Sequence, residues 1–151
     1  MTIPSADNES LSPSMRDRLP YLLYRAAAAS TTMADAALRA IQLTARQVGI
    51  LTLVVERHPM TQRQLGSTIG VDRTTMVALL DDLEAKGLIE RRRLSSDRRA
   101  FLIHPTAPGI EAQAAAIKVL DERAQVFLQP LSERQRSQLA DLLRRLEPRL
   151  R

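Results

Sequence analysis

The chain of 151 residues has no cysteine and no tryptophan, and only two histidines, two tyrosines and two phenylalanines. Without cysteine it cannot form a disulfide framework, a thiolate metal site or a cysteine nucleophile. His58 and His104 are too few for a histidine-rich metal site. So few aromatic rings also do not make a stacking platform for single-stranded nucleic acid. We therefore expect no metal site and no cofactor.

Long hydrophobic runs are missing as well. No stretch approaches the roughly 18 apolar residues of a membrane span, and residues 1–14 lack the basic and then apolar pattern of a secretion signal. We expect a cytoplasmic protein without a membrane partner. Apolar residues make up 44% and charged residues 26% of the chain, which is typical of a globular domain.

Basic side chains are present in excess. Lys and Arg number 22 against 17 Asp and Glu, for a net charge of +5. Every base except Lys86 and Lys118 is arginine, whose guanidinium group suits bidentate contact with phosphate and with guanine edges. This balance permits a nucleic-acid partner but does not require one.

Apolar residues recur at helical spacing over most of the chain. The pattern predicts a long first helix from Met15 to Ile41, a second helix from Ala45 to Glu56, and two late helices that begin after Thr106 and Ser132. Three helix starts carry a capping box, in which Thr or Ser is followed three residues later by Gln. These pairs are Thr44–Gln47, Thr61–Gln64 and Ser132–Gln135.

The segment from Gln62 to Asp81 fits a helix-turn-helix pattern. Gly66 supplies a small residue where the two helices cross, and Gly70 tolerates a positive φ at the turn. Apolar residues occupy the expected helix contacts, namely Leu65, Ile69, Val71, Met76 and Leu79. Any two helices packed across a glycine turn would share these features, so this segment alone does not establish a function.

A β-hairpin is predicted directly after this unit, with strands over residues 88–94 and 99–105. Because proline cannot donate to a β-ladder, we expect the second strand to end at His104, before Pro105. The hairpin carries five arginines, Arg91, Arg92, Arg93, Arg98 and Arg99. Such a run is usually a solvated face, but beside a candidate recognition helix it is better explained by contact with DNA phosphates and the minor groove.

Several motifs in this region match a known family in their order. They are TQRQL at 61–65, GVDRTTM at 70–76, LEAKGLIER at 83–91 and DRRA at 97–100, followed by Thr106 and Gly109. On these residues the chain resembles the MarR family of bacterial transcriptional regulators from Met15 nearly to its end. The resemblance implies a mainly α-helical winged helix-turn-helix fold with a two-stranded wing, which binds double-stranded operator DNA as a homodimer and commonly acts as a repressor.

The resemblance also implies the residues that contact bases. Arg73, Thr74 and Thr75 would lie in the major groove at the exposed start of the recognition helix. Relatives often carry a basic residue where this chain has Ala78 and Asp82. Phosphate attraction must therefore come mainly from the wing, and the operator sequence cannot be transferred from relatives.

In the wing, the resemblance implies that Arg99 enters the minor groove and that Asp97 orients it through a charged contact. Thr61 would help bind a phosphate through the amide groups at a helix N-terminus. Further candidate phosphate contacts are Arg63, Arg91 and Arg98.

Members of the family often bind a small aromatic or anionic ligand between the dimerisation and DNA-binding parts. The candidates for such a pocket here are Tyr24, Arg46 and His58. A tyrosine on an apolar helix is more often part of the core, and a histidine near a helix end is more often a cap. The sequence does not identify an effector.

The outer helices carry leucine and alanine stripes that a small winged domain cannot bury completely. An intramolecular core is one explanation, but we favour a homodimer interface, which the resemblance also implies. Two-fold symmetry would place the recognition helices roughly 34 Å apart on a pseudopalindromic operator. The predicted organisation is a flexible arm (1–14), an N-terminal dimerisation helix (15–43), a winged helix-turn-helix DNA-binding domain (44–105) and C-terminal dimerisation helices (106–151).

Two other functions fit less well. A winged-helix module that binds another protein instead of DNA would be indicated by acidic residues in place of the wing arginines. An enzyme would need a paired nucleophile and base, a metal cluster or a glycine-rich phosphate loop, and the sequence shows none of these. Ser95 and Ser96 beside Asp97 are explained by turn chemistry.

Overall fold

The computed structural model of the chain describes residues 17–57, 59–94 and 97–146. The predicted arm over residues 1–14 lies outside this part. The described residues form six helices and three strands. In chain order they are α1 (Leu19–Ala40), α2 (Ala45–Arg57), β1 (Met60–Thr61), α3 (Gln62–Ile69), α4 (Arg73–Ala85), β2 (Ile89–Leu94), β3 (Asp97–Pro105), α5 (Ala107–Phe127) and α6 (Glu133–Leu146).

Local hydrogen bonds at the helix starts explain most of these boundaries. At α3 the Gln64 side chain accepts the Thr61 N–H at 2.8 Å, and the Thr61 hydroxyl oxygen accepts the Gln64 N–H at 3.3 Å. Each bond satisfies a backbone donor that the helix itself leaves unpaired. The same arrangement begins α2 and α6, so all three predicted capping boxes are confirmed, the others being Thr44–Gln47 and Ser132–Gln135.

The core lies where α2, α3 and α4 pack together against the sheet. Leu65 and Met76 are buried in it, and Ile69, Val71 and Leu79 pack against it, so the predicted helix contacts are confirmed. The largest fully buried side chains are Leu38, Ile50, Leu51, Val54, Leu65, Met76, Leu80, Leu83 and Ile103. Most of these belong to the helix-turn-helix and to the helix that precedes it.

The prediction for the turn between α3 and α4 is confirmed at Gly70, whereas at Gly66 the structure leaves room for a slightly larger residue. Gly70 has a φ of 75°, a left-handed conformation that favours glycine. A Cβ added at Gly66 would lie an ordinary 3.5 Å from the Val71 carbonyl oxygen. A small residue is therefore enough at position 66, and alanine would fit.

The predicted hairpin is confirmed, because β2 and β3 pair antiparallel as a wing. The prediction that the second strand ends at His104 is wrong by one residue, since β3 continues to Pro105, which lies opposite Ile89. Proline lacks the N–H donor but keeps a carbonyl oxygen that can accept a hydrogen bond. At the last position of a strand the missing donor is therefore tolerated.

A third strand, β1, was not predicted. Met60 pairs with Ile103 and Thr61 with Leu102, so the sheet has the order β1-β3-β2. Two residues are too few to show the apolar and polar alternation by which strands are recognised. The wing is thus anchored on its inner side by the residues that immediately precede α3.

A close backbone contact joins α5 to the winged part of the molecule, by which we mean α2 to β3. A Cβ added at Gly109 would lie 1.8 Å from the Leu88 carbonyl oxygen. Next to it the Thr106 N–H donates to the same oxygen at 3.1 Å, and the Thr106 hydroxyl donates to the Gly87 carbonyl at 2.6 Å. Thr106 and Gly109 therefore fix where α5 leaves the wing.

The outer helices bury few side chains within the chain. Leu38 is the buried residue of α1, Gly109 and Ala116 are those of α5, and α6 has none. Within the described part of the chain no single helix is long and apolar enough to cross a membrane, although α1 and α2 together pass that test as a pair bent by 76°. Large apolar side chains exposed on these outer helices are Leu19, Leu22, Leu23, Tyr24, Ile110, Ile117, Val126, Leu142, Leu143 and Leu146.

Candidate nucleic-acid interface

The first turn of α4 presents Arg73 and Thr74 to solvent. Asp72 caps this helix, and its carboxylate accepts the Thr75 hydroxyl at 2.6 Å and the Thr75 N–H at 2.9 Å. These hydrogen bonds, the hydroxyl first, hold the pKa of Asp72 below its ordinary value of 3.8. Thr75 is half-buried and engaged by the cap, which leaves Arg73 and Thr74 as the outward-facing pair of the predicted triplet.

Arg91 crosses from the wing to the recognition helix α4. Its guanidinium group forms ion pairs of 2.6 Å with both Asp81 and Glu84, and its backbone N–H donates to Glu84 at 3.3 Å. The Arg91 side chain is only 19% exposed. These contacts attach β2 to α4 and offset two of the three carboxylates of the recognition helix.

Asp82 connects the same helix to the corner between α1 and α2. Its carboxylate accepts hydrogen bonds from the Lys86 ammonium at 2.6 Å and from the Gln47 side-chain amide. The Lys86 ammonium also donates to the Gln42 carbonyl oxygen at 2.9 Å. The hydrogen bond from Lys86 is the main cause of a lowered pKa at Asp82. Acids that would repel DNA phosphates are therefore held by partners within the chain.

On the wing, Arg92 and Arg93 are exposed, and Arg92 forms an ion pair with Glu90. Asp97, Arg98 and Arg99 lie at the beginning of β3. The contact of Asp97 with Arg99, and the reach of Arg99 into a groove, stay predictions. The backbone nevertheless puts all of these residues in one hairpin, directly after α4.

Thr61 and Arg63 lie at the start of α3. The Thr61 side chain is used by its capping box, whereas Arg63 is exposed on the first turn. Both residues precede the turn to α4, so they belong to the same helix-turn-helix as Arg73. Among described residues, no group of three or more His, Asp or Glu side chains could hold a metal ion.

Of the three candidate ligand residues, Tyr24 and Arg46 lie in the described part of the chain. Tyr24 and Arg46 are both exposed, on α1 and on the first turn of α2. From Tyr24 to Ala40 the helix rises about 24 Å, so the two side chains are far apart. His58 lies outside the described residues. An open groove of about 560 Å³ runs along α5 and is lined by residues of that helix alone, including Ile117 and Lys118.

A helix-turn-helix followed directly by a basic hairpin defines a winged helix-turn-helix protein. The family model for the MarR family matches residues 43–101. The chain is 35% identical over 98 residues to a protein of Thauera aromatica described as a transcriptional regulatory protein for the hcr operon. This match covers 65% of the present chain and 59% of that protein, so the chain spans less than two thirds of its length.

Solved structures extend the similarity to nearly the whole chain. CouR, a transcriptional repressor bound to a 23-mer DNA duplex, has a TM-score of 0.82 and 28% identity over 91% of this chain and 99% of its own. CouR from Rhodococcus jostii RHA1 bound to p-coumaroyl-CoA has a TM-score of 0.73 and 26% identity over 89% and 95%. A MarR-family transcriptional regulator from Rhodococcus sp. RHA1 has a TM-score of 0.77 and 26% identity over 89% and 96%. The chain is thus similar to MarR-family regulators in sequence over residues 43–101 and in fold over nearly its whole length.

Proposed function

We propose that this protein is a DNA-binding transcriptional repressor that binds a pseudopalindromic operator as a homodimer, in the cytoplasm and without catalysis of its own. One observation carries the proposal. Arg73 and Thr74 face outward on a capped helix, next to an arginine-rich wing, while the carboxylates farther along that helix are held by partners within the chain. The similarity to DNA-bound CouR supports the same function.

In this proposal the two ends of the interface have different tasks. Arg73 and Thr74 contact base edges in the major groove, with Thr75 in support through the cap. Arg99, oriented by Asp97, enters the minor groove, where the negative potential attracts arginine. Phosphate contacts position the protein and carry no sequence information, and we assign them to the start of α3 and to the wing, through Thr61, Arg63, Arg92, Arg93 and Arg98.

Arg91 has a different role in the proposed function. Its guanidinium group is mostly buried between Asp81 and Glu84, which makes it a poor candidate for the phosphate contact that the sequence predicts. We assign it as a positioning residue, which fixes the angle between wing and recognition helix so that both reach their grooves together.

A homodimer follows from the apolar surface of the outer helices. Leu22 on α1, Ile117 on α5 and Leu142 on α6 are all exposed in one chain. Burying a leucine or isoleucine side chain completely contributes about 1.5–3 kcal/mol. A symmetric pairing that covers the outer helices of two chains would therefore be stable, and it would carry two winged domains.

An effector is the least specified part of the proposal. CouR was crystallised with p-coumaroyl-CoA, which supports a small aromatic or anionic ligand for a chain of similar fold. Because Tyr24 and Arg46 are far apart in one chain, a pocket that uses both would have to combine residues of two protomers. A change in operator affinity on addition of such a ligand would identify it.

The test begins with selection of bound sequences from random DNA duplexes, followed by fluorescence anisotropy on the selected and a scrambled duplex. We expect a pseudopalindrome, with a log–log salt slope on the order of −5 to −9 for a dimer that uses both wings. Arg99→Ala should weaken operator binding at least about tenfold. Arg134→Ala, an exposed arginine on α6, is the matched control and should not.

Base contact and phosphate contact are separated by a second variant. Arg73→Ala should weaken binding to the operator more than binding to the scrambled duplex, because base edges carry the sequence information. Equal losses on both duplexes would show that Arg73 contacts phosphate. Absence of binding even at low salt would overturn the DNA-binding function and favour a protein-interaction module.

A further inference from the structure

Val77 is a large apolar side chain that the recognition helix leaves on the surface. It is 36% exposed, whereas Met76, Leu80 and Leu83 of the same helix are buried in the core. The packing of α4 is therefore completed by other residues. Its exposed methyl groups lie beside the exposed side chains of Arg73, Thr74 and Asp81 on the same helix.

Val77 lies on the same face of α4 as Arg73 and Thr74, the residues proposed to contact bases. Residues three and four apart occupy one face of a helix, so Val77 is beside Thr74 and Arg73. The next residue of this face toward the C-terminus is Asp81, whose carboxylate is held by Arg91 at 2.6 Å. Val77 thus stands between an arginine that can read bases and an acid that is already neutralised.

The major groove offers one apolar group to such a side chain. Guanine, adenine and cytosine present hydrogen-bond donors and acceptors there, whereas thymine adds a C5-methyl group. Valine neither donates nor accepts a hydrogen bond, so the thymine methyl is the feature it can recognise. We propose that Val77 is a specificity-determining residue, which packs against the C5-methyl group of one thymine in each operator half-site. This inference rests on the proposed function.

The geometry also indicates where that thymine lies. Between Arg73 and Val77 the helix rises about 6 Å, and successive base pairs are about 3.4 Å apart. If Arg73 binds a guanine, the thymine read by Val77 is about two base pairs away. For a helix that lies along the groove, we therefore expect a guanine and a thymine about two base pairs apart in both half-sites.

The experiment replaces each thymine of the selected operator, one at a time, with deoxyuridine, which pairs identically but lacks the methyl group. Burial of one methyl corresponds to about a fourfold change in affinity, so we expect one position per half-site where wild type loses about fourfold. In Val77→Ala this ratio should fall to about one. Val126→Ala, which truncates an exposed valine on α5, should keep the fourfold ratio.

The outcomes separate the inference from the function on which it rests. A wild-type protein that binds its operator tightly but is indifferent to every uridine overturns the role of Val77 alone. So does Val77→Ala if it still prefers thymine fourfold, or a selected half-site with no thymine about two base pairs from the guanine. A wild-type protein that enriches no duplex overturns the proposed function, and the role of Val77 with it.

Discussion

The winged part of the molecule and its outer helices bury their apolar residues in different ways. In the winged part, α2 buries Val48, Ile50, Leu51 and Val54 together with the polar Gln47. By contrast, α6 buries no residue and exposes three leucines. The first region completes its core within one chain, and the second does not. We therefore propose that DNA binding and dimerisation belong to separate parts of one sequence.

The largest effect is expected where the two regions join. Gly109→Ala would place a Cβ 1.8 Å from the Leu88 carbonyl oxygen and 2.8 Å from the carbonyl carbon. Because both atoms belong to the backbone, the start of α5 or the Leu88 backbone directly before β2 must shift. Overpacking typically costs 1–3 kcal/mol, and we expect the upper end, about 3 kcal/mol, in urea denaturation.

Gly66→Ala is the control for this substitution. Its Cβ would make an ordinary contact of 3.5 Å, and alanine is favoured over glycine inside a helix by about 0.5–1 kcal/mol. We expect unchanged or slightly raised stability. Equal losses in the two variants would contradict a tight joint at Gly109.

The second effect concerns the outer helices. Leu142 is 58% exposed on α6, and Leu142→Glu would place a charge in the apolar surface of each protomer. A buried leucine contributes about 1.5–3 kcal/mol, so the dimer dissociation constant should rise at least about tenfold, as measured by sedimentation. The fold of the winged part, followed by circular dichroism, should be unchanged.

Ser137→Glu adds the same charge at an exposed polar residue of α6 and serves as the control. It should leave the dimer intact, since Ser137 lies one turn from Asp141 on the charged side of the helix. If both variants dissociate the dimer equally, charge as such is responsible and the apolar surface is not the interface.

The third effect tests whether Arg91 positions the wing relative to α4 and does not itself contact phosphate. Arg91→Met removes the ion pairs to Asp81 and Glu84, so operator affinity should fall about tenfold while the salt slope changes little. Arg92→Met removes an exposed arginine, and each lost phosphate contact lowers the slope by about one. Anisotropy across salt concentrations measures both. A slope reduced equally by the two variants would make Arg91 a phosphate contact.

The smallest effect is expected at the corner between α1 and α2. Gln42 has a φ of 57°, which costs an L-residue about 1–2 kcal/mol, while glycine loses more backbone entropy on folding. Gln42→Gly should therefore raise stability by about 0.5–1 kcal/mol and keep the carbonyl that Lys86 binds. Gln138→Gly, inside α6, should instead cost about 1 kcal/mol. A loss in both variants would contradict strain at Gln42.

What the sequence predicts well depends on contacts between neighbours in the chain. The capping boxes at Thr44, Thr61 and Ser132 each join two residues that are three apart, and all are present. The helix contacts of the helix-turn-helix also follow from spacing, because a helical period places Leu65 and Ile69 on one face. The family motifs add the wing and the order of the elements.

What the sequence does not predict depends on contacts between distant segments. The hydrogen bond of Gln47 with Asp82 joins residues 35 apart, and that of Lys86 with Gln42 joins residues 44 apart. The spacing of residues in the sequence does not indicate such a contact. From sequence alone, the acidic residues of α4 therefore appear as unpaired negative charge. For the same reason the sequence does not distinguish Arg91 from the other arginines of the wing, although in the fold its side chain contacts Asp81 and Glu84 of α4.

The central claim is that two chains pair through their outer helices and present two winged parts to one duplex. Analytical ultracentrifugation of the protein, alone and with the selected operator, tests it most directly. We expect twice the mass of one chain already at micromolar concentration without DNA, and two chains per duplex in the complex. A monomer in free solution that binds the duplex as a single chain would contradict the claim.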